Sequence, residues 1–142
     1  MGKTEVFLSL GTNLGDRRAN IDKAISLLKE RIDGSLTGMS EVMETKAVGF
    51  DGADFLNTVV RFETDTKPHS LLAICKDIER DMGRNDLPQY DPEGNRIYHD
   101  RVIDIDILIY GNQVIDSQIL TIPHKALHQR PFFVDMIEQI RR

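Results

Sequence analysis

Asp100-Arg101-Val102-Ile103-Asp104-Ile105-Asp106-Ile107-Leu108-Ile109-Tyr110 is the stretch on which the reading of this chain turns. At a period of two, Ile103, Ile105, Ile107 and Ile109 share one face, and Val102, Asp104, Asp106, Leu108 and Tyr110 share the other. A row of β-branched residues packs well on a pleated surface, so this is a β-strand with its isoleucine face in a core. The other face sets two carboxylates roughly 6.5–7 Å apart at Cα. They repel by on the order of 2–3 kcal/mol at an effective dielectric of 20, and by well under 1 kcal/mol in bulk water. Two readings stay open. Either the face is wet and the aspartates solubilise an antiparallel strand, or a hard divalent cation relieves the repulsion. Mg²⁺ is the cation usually held by one or two carboxylates plus substrate phosphates. Val102, Leu108 and Tyr110 on the same face, with Arg101 at its entry, weaken the wet reading.

Upstream, Glu5 to Leu10 reads as a first strand too apolar for an edge, and the chain then turns through residues 11–16. That turn is glycine-rich but ends Gly15-Asp16-Arg17 instead of Gly-Lys-Ser/Thr, so it is no phosphate loop. Asp16 is placed to cap a helix carrying Ile21, Ala24, Ile25 and Leu28 on one stripe, which Gly34 is expected to end. Leu36 to Glu44 reads as one strand. Phe55 to Thr64 is the next, with Leu56, Val60 and Phe62 on one side and Phe55, Asn57, Val59 and Arg61 on the other. Pro68 opens a second helix with a Leu71, Cys75, Ile78 and Met82 stripe, closed by Gly83. Lys76 and Glu79 sit one turn apart, as a surface i, i+3 pair would.

From Arg84 to Asp100 no periodicity appears, and a segment of that length in a compact domain suggests a functional lid or an insert. After the aspartate strand come a small hairpin (Val114-Ile115 with Ile119 to Thr121) and a short apolar final helix. The order predicts an α+β fold: a ferredoxin-like βαββαβ antiparallel sheet with helices on one face, plus a C-terminal hairpin and short helix. The sheet's other face would be left for a ligand.

The 142 residues make one domain, 1–142, with 40% hydrophobic and 29% charged residues and a net charge of −5. That balance argues against wholesale nucleic-acid binding. The single cysteine, Cys75, excludes an internal disulfide and falls on an apolar stripe, which makes it a buried thiol. No apolar run approaches a membrane span and no signal peptide is evident, so the expectation is a cytoplasmic monomer.

Five separated segments together resemble one family: Leu-Gly-Thr-Asn-Leu-Gly-Asp at 10–16, Phe-Leu-Asn at 55–57, Ile-Glu-Arg-Asp-Met-Gly-Arg at 78–84, Arg-Val-Ile-Asp-Ile-Asp-Ile at 101–107, and Pro-His then Arg-Pro-Phe at 123–132. The chain is similar over nearly its whole length to the hydroxymethyl-dihydropterin pyrophosphokinases of folate biosynthesis, which move pyrophosphate from ATP to a pterin alcohol. The resemblance implies that Asp104 and Asp106 hold two Mg²⁺ ions bridging the ATP phosphates. It implies that Arg84, Arg101, His124 and Arg130 neutralise the triphosphate. Lys76, Glu79, Tyr98, Ile107 and Thr121 would lie on the nucleotide side. Phe55 and Phe132 would sandwich the pterin, with Asn57, Thr45 and the backbone near Val48 reading its edge. Phe55 stands where many members have tyrosine, Lys46-Ala47 where a Pro-Pro pair is common, and Ile119 where some carry arginine.

Two rival readings remain on sequence grounds. His124 and His128, one helical turn apart, would join the aspartates in a Zn²⁺ or Mn²⁺ hydrolase, though no His-Glu-x-x-His is present. An RNA-recognition sheet shares the strand order, but it wants stacking aromatics in a Gly-Phe-rich strand and a basic face.

Overall fold

Nine residues of unbroken strand, Thr4–Thr12 (β1), form the spine of the fold, with every position from Phe7 to Thr12 buried. The computed structural model describes residues 3–46, 53–83, 89–90, 92–94, 96–97 and 102–141. After β1 come α1 (Arg17–Arg31), β2 (Gly34–Met39), β3 (Met43–Thr45), β4 (Phe55–Thr64) and α2 (Pro68–Asp81). Then follow β5 (Gln89–Tyr90), β6 (Arg96–Ile97), β7 (Asp104–Tyr110), β8 (Ile115–Asp116), β9 (Thr121–Ile122), α3 (Ala126–Gln129) and α4 (Phe132–Ile140). The main sheet runs β2-β4-β1-β7, antiparallel at each of these pairings, with β3 also on β4. That is the expected ferredoxin-like βαββαβ order.

Alternation sorts the side chains into two layers. Val6, Leu8 and Leu10, with Val60, Phe62, Ile103, Ile105 and Ile107, face α1 and α2 and meet Ala24, Leu28, Leu71, Cys75 and Ile78. Cys75 is fully buried and desolvation pushes its thiol far above the ordinary range, so it is packing and not a nucleophile. Asp16 caps α1 as expected, its Oδ1 accepting from the Ala19 amide at 3.1 Å.

The structure corrects five local expectations. The sheet's second face is not left bare: Phe133, Met136 and Ile137 of α4 pack on Phe7, Val59 and Leu108. The alternation of β7 breaks at Leu108, because Leu8 pairs with Ile107 and Phe7 with Ile109, leaving Leu108 as a bulge. Leu108 keeps the aspartates' face, here covered by α4, while Ile109 follows it onto that face and Tyr110 crosses to the isoleucine layer. Gly34 does not end α1, which stops at Arg31; it opens β2, where a Cβ would clash with the Glu63 carbonyl oxygen. The strand expected over 36–44 is two, parted at Ser40–Val42, where the Ser40 amide still donates to Val59 O at 2.8 Å. Within 84–100 the short pair β5–β6 forms a hairpin, with Gly94 at φ +87° in its turn.

Candidate active site

The second face of the sheet divides in two. Near the C-terminal end of β7 it is sealed by α4; towards the opposite end it carries polar residues in register. Met43, Asn57, Gly11 and Asp104 are consecutive partners across β3, β4, β1 and β7. One pleat along, Val59, Ser9 and Asp106 form the next row. Asp104 and Asp106 thus lie before the bulge, on the face shared by Asn57, and both are half-buried, neither solvated nor sealed.

Gly11 is the floor between them. A Cβ there would come within 3.2 Å of Asn57 Oδ1 and 3.6 Å of a Phe55 ring carbon, so hydrogen keeps a slot open where any side chain would fill it. Asn57 is buried and its Nδ2 donates to Thr45 Oγ1 at 2.6 Å. That bond fixes the amide orientation and aims a carboxamide edge along the slot floor. Read from sequence alone, the first strand ends at Leu10 and Gly11 falls in the turn. Continuing the alternation by two residues would have found it.

At the far edge, β7 is bordered by the segment after β9. The His124 amide donates to Leu108 O at 2.9 Å, and its ring lies over Asp106, Nε2 3.6 Å from Oδ1. Nδ1 accepts from the Ala126 amide at 3.0 Å, so the proton of the neutral ring is on Nε2, facing the carboxylate. Burial lowers the imidazole pKa; Asp104 opposes that shift, while Arg130 and Lys125 reinforce it. Thr121, half-buried on β9, is three residues before this histidine.

Beneath the same edge lies a fully buried carboxylate. Glu79 Oε2 accepts from the Ile105 amide at 2.7 Å, and Oε1 is 3.5 Å from Lys76 Nζ. The expected surface pair is therefore half wrong: Lys76 reaches solvent, whereas Glu79 is interior. Its partner Ile105 is the residue between the two aspartates, so the glutamate supplies to β7 a bond that a further strand would otherwise give.

The family model for 7,8-dihydro-6-hydroxymethylpterin-pyrophosphokinase matches residues 7–142. The chain belongs to that family. It is 40% identical over 130 residues to a 2-amino-4-hydroxy-6-hydroxymethyldihydropteridine pyrophosphokinase of Aquifex aeolicus, covering 91% of this chain and 75% of that one. Against the enzyme of the same description from Porphyromonas gingivalis the identity is 40% over 129 residues, covering 89% and 84%. A mitochondrial folate synthesis bifunctional protein of Pisum sativum is 42% identical over 129 residues; the match takes in 90% of this chain but only 23% of the pea protein. A Plasmodium falciparum HPPK-DHPS crystal structure with pteroate aligns at TM-score 0.60 and 16% identity, covering 90% of this chain and 38% of that one, a likeness of fold.

Of the residues the pyrophosphokinase resemblance singled out, Arg84, Tyr98, Arg101 and Val48 lie outside the described residues. Asp104, Asp106, Asn57, Thr45, Phe55 and His124 converge on one end of the second face. Phe132, at the start of α4, is half-buried on that face and packs against Phe133 with ring centroids 4.5 Å apart. Arg130 is exposed at the end of α3. Ile107 points its side chain into the helix-side core, leaving only its main chain for a nucleotide. His128 is exposed on α3, while His124 precedes that helix with its ring half-buried beside Asp106. Among the described residues no group of three or more His, Cys, Asp or Glu side chains is placed to hold a metal ion. A pair of oxygen ligands that leaves further positions to substrate phosphates suits Mg²⁺, not a protein-only Zn²⁺ cage.

Proposed function

We propose that the chain transfers pyrophosphate from ATP to the hydroxymethyl group of 6-hydroxymethyl-7,8-dihydropterin, releasing AMP, in tetrahydrofolate biosynthesis. The observation that carries this reading is the row Asn57, Gly11, Asp104. Two inter-strand steps put the amide and the carboxylate roughly 10 Å apart on one face, with a glycine between them where a flat heterocycle can lie.

Asp104 and Asp106 would hold two Mg²⁺ ions together with the phosphates of ATP. Bound there, the metal supplies charge neutralisation and alignment of the attacking and leaving oxygens. The chain's own residues do the rest. Asn57, held by Thr45, reads the hydrogen-bonding edge of the pterin, and Phe55 and Phe132 bracket its ring. Backbone near Val48 adds a further contact to that edge. The family resemblance assigns His124, Arg84, Arg101 and Arg130 to the triphosphate, and Lys76, Glu79, Tyr98, Ile107 and Thr121 to the nucleotide. The hydroxymethyl oxygen attacks the β-phosphorus in line as the bond from that phosphorus to the α-bridging oxygen breaks. No strong side-chain base is evident for the hydroxyl proton; Asp106 is the candidate among the side chains, with metal-assisted deprotonation as the alternative. The protein acts as a monomer in the cytoplasm, where ATP and Mg²⁺ are supplied.

The test is product identity. With ATP labelled in the α-phosphate, Mg²⁺ and the pterin alcohol, AMP is the expected first labelled product. ADP as the primary product would overturn the reading.

A further inference from the structure

The turn between β1 and α1 carries two polar side chains that the proposed chemistry does not use. Both reach across to the segment joining β3 to β4. Arg17, the first residue of α1, bonds twice through one guanidinium nitrogen: to Glu44 Oε2 on β3 at 2.9 Å and to the Asp54 carbonyl at 2.8 Å. Asn13 is buried, and its Nδ2 donates to the Ala53 carbonyl at 3.0 Å. Glu44 immediately precedes Thr45, and Asp54 immediately precedes Phe55. One cation therefore ties together the two residues flanking the Thr45–Phe55 pair that closes the β3–β4 ladder.

Neither end of this bridge is interior. The side chains of Arg17 and Glu44 are 31% and 54% exposed, and ion pairs so exposed contribute little to global stability. The arrangement acts locally instead. The ladder alone fixes the strand ends, but not the direction in which residues 53–54 leave them. Two carbonyls pinned from a third element do fix it.

We propose that Arg17, seconded by Asn13, is a positioning residue for the pterin side of the site: it clamps the two stems of the β3–β4 connection to the β1–α1 turn, so that Thr45, Phe55 and Asn57 are preorganised before substrate arrives. The identity of that substrate rests on the proposed function. A clamped stem contributes affinity by removing ordering that binding would otherwise require. ATP, on the β7 side, does not touch it.

The experiment uses the full chain and five variants: Arg17→Met, Arg17→Lys, Asn13→Ala, Glu44→Gln and the double variant Arg17→Met with Glu44→Gln. Calorimetry measures the pterin in the presence of Mg²⁺ and a non-hydrolysable ATP analogue, and the analogue with Mg²⁺ alone. Arg17→Met is expected to weaken pterin binding about 10-fold and to leave analogue affinity within about 2-fold, with Arg17→Lys partly restoring the loss. Glu44→Gln is expected to cost less than Arg17→Met, because the bond to the Asp54 carbonyl survives, and to add nothing in the Arg17→Met background. Amide exchange at 53–55 is expected to quicken in Arg17→Met and Asn13→Ala with no ligand present. Unchanged pterin affinity in Arg17→Met, or equal loss of both ligands with a lowered Tm, overturns the proposal. If the wild type binds no pterin, the functional reading and the ligand named here fall together. Exchange at 53–55 still decides the clamp: unchanged rates sink it on their own.

Discussion

Replacing Glu79 isolates what a buried carboxylate does beside the paired aspartates. Its side chain is wholly inaccessible, with Oε2 2.7 Å from the Ile105 amide and Oε1 3.5 Å from Lys76 Nζ. In Glu79→Ala the Ile105 amide loses its acceptor inside the protein, which costs about 1–3 kcal/mol. The vacated volume adds roughly 1 kcal/mol. Lys76 is 44% exposed and hydrates readily, so its lost partner adds little. The expected destabilisation is about 2–4 kcal/mol, or a Tm lowered by roughly 6–14 °C for a domain of this size. Glu79→Gln keeps an oxygen for the amide and gives up only the charge, so its loss should stay within about 1 kcal/mol. Urea unfolding of both variants, followed by fluorescence and far-UV dichroism together, measures the difference. The same bond fixes the backbone between Asp104 and Asp106. Glu79→Ala is therefore expected to weaken Mg²⁺-dependent binding of an ATP analogue while Glu79→Gln largely preserves it. Equal destabilisation by the two variants would show that charge, not the hydrogen bond, is what matters there. A Glu79→Ala protein as stable as wild type would refute the reasoning altogether.

Asp106→Ala should lower kcat roughly 100- to 1000-fold with the Tm little changed, since that side chain is 36% exposed and holds no core; near-normal turnover would return the aspartate face to a solvated one. Gly11→Ala, whose new methyl meets Asn57 Oδ1 at 3.2 Å, should abolish measurable pterin binding and leave binding of the ATP analogue intact; titrating both ligands into the variant checks it. Tyr110 donates to the Thr66 carbonyl at 2.5 Å, and burial raises its phenol above the ordinary value of 10.0. The folded state then holds the proton more tightly than the unfolded state, so this contribution is complete below pH 10 and is lost as pH rises through the raised folded value. Tyr110→Phe should cost about 1 kcal/mol at neutral pH and flatten the decline of stability above pH 10, measured as urea midpoints across pH 8 to 11.5.

What the sequence disclosed and what it withheld follow one physical division. Period-two alternation reports which residues share a face, and for β4 and the first half of β7 it assigns the faces correctly, because each strand alternates whatever its neighbours do. It cannot report where a partner strand forces an extra residue. The bulge at Leu108 arises from the pairing of Phe7 and Leu8 with Ile109 and Ile107, a contact some hundred residues away along the chain, and past it the sequence assignment of Ile109 and Tyr110 inverts. Nor can it report which faces acquire a second layer: the apolar stripe of α4 was plain, but its destination on Phe7, Val59 and Leu108 was not. The same limit hid Gly11 and Glu79. A glycine after an apolar run looks like a turn until its partners Asn57 and Asp104 are known, and a glutamate one turn from a lysine looks like surface until the Ile105 amide is found against it. The aspartates themselves were legible because they precede the bulge. Had the irregularity fallen between Asp104 and Asp106, one carboxylate would face α2 and the core, and the pair could not share a cation. The position of that single extra residue after Ile107 keeps both carboxylates on Asn57's face while turning Ile109 toward α4 and Tyr110 into the isoleucine layer.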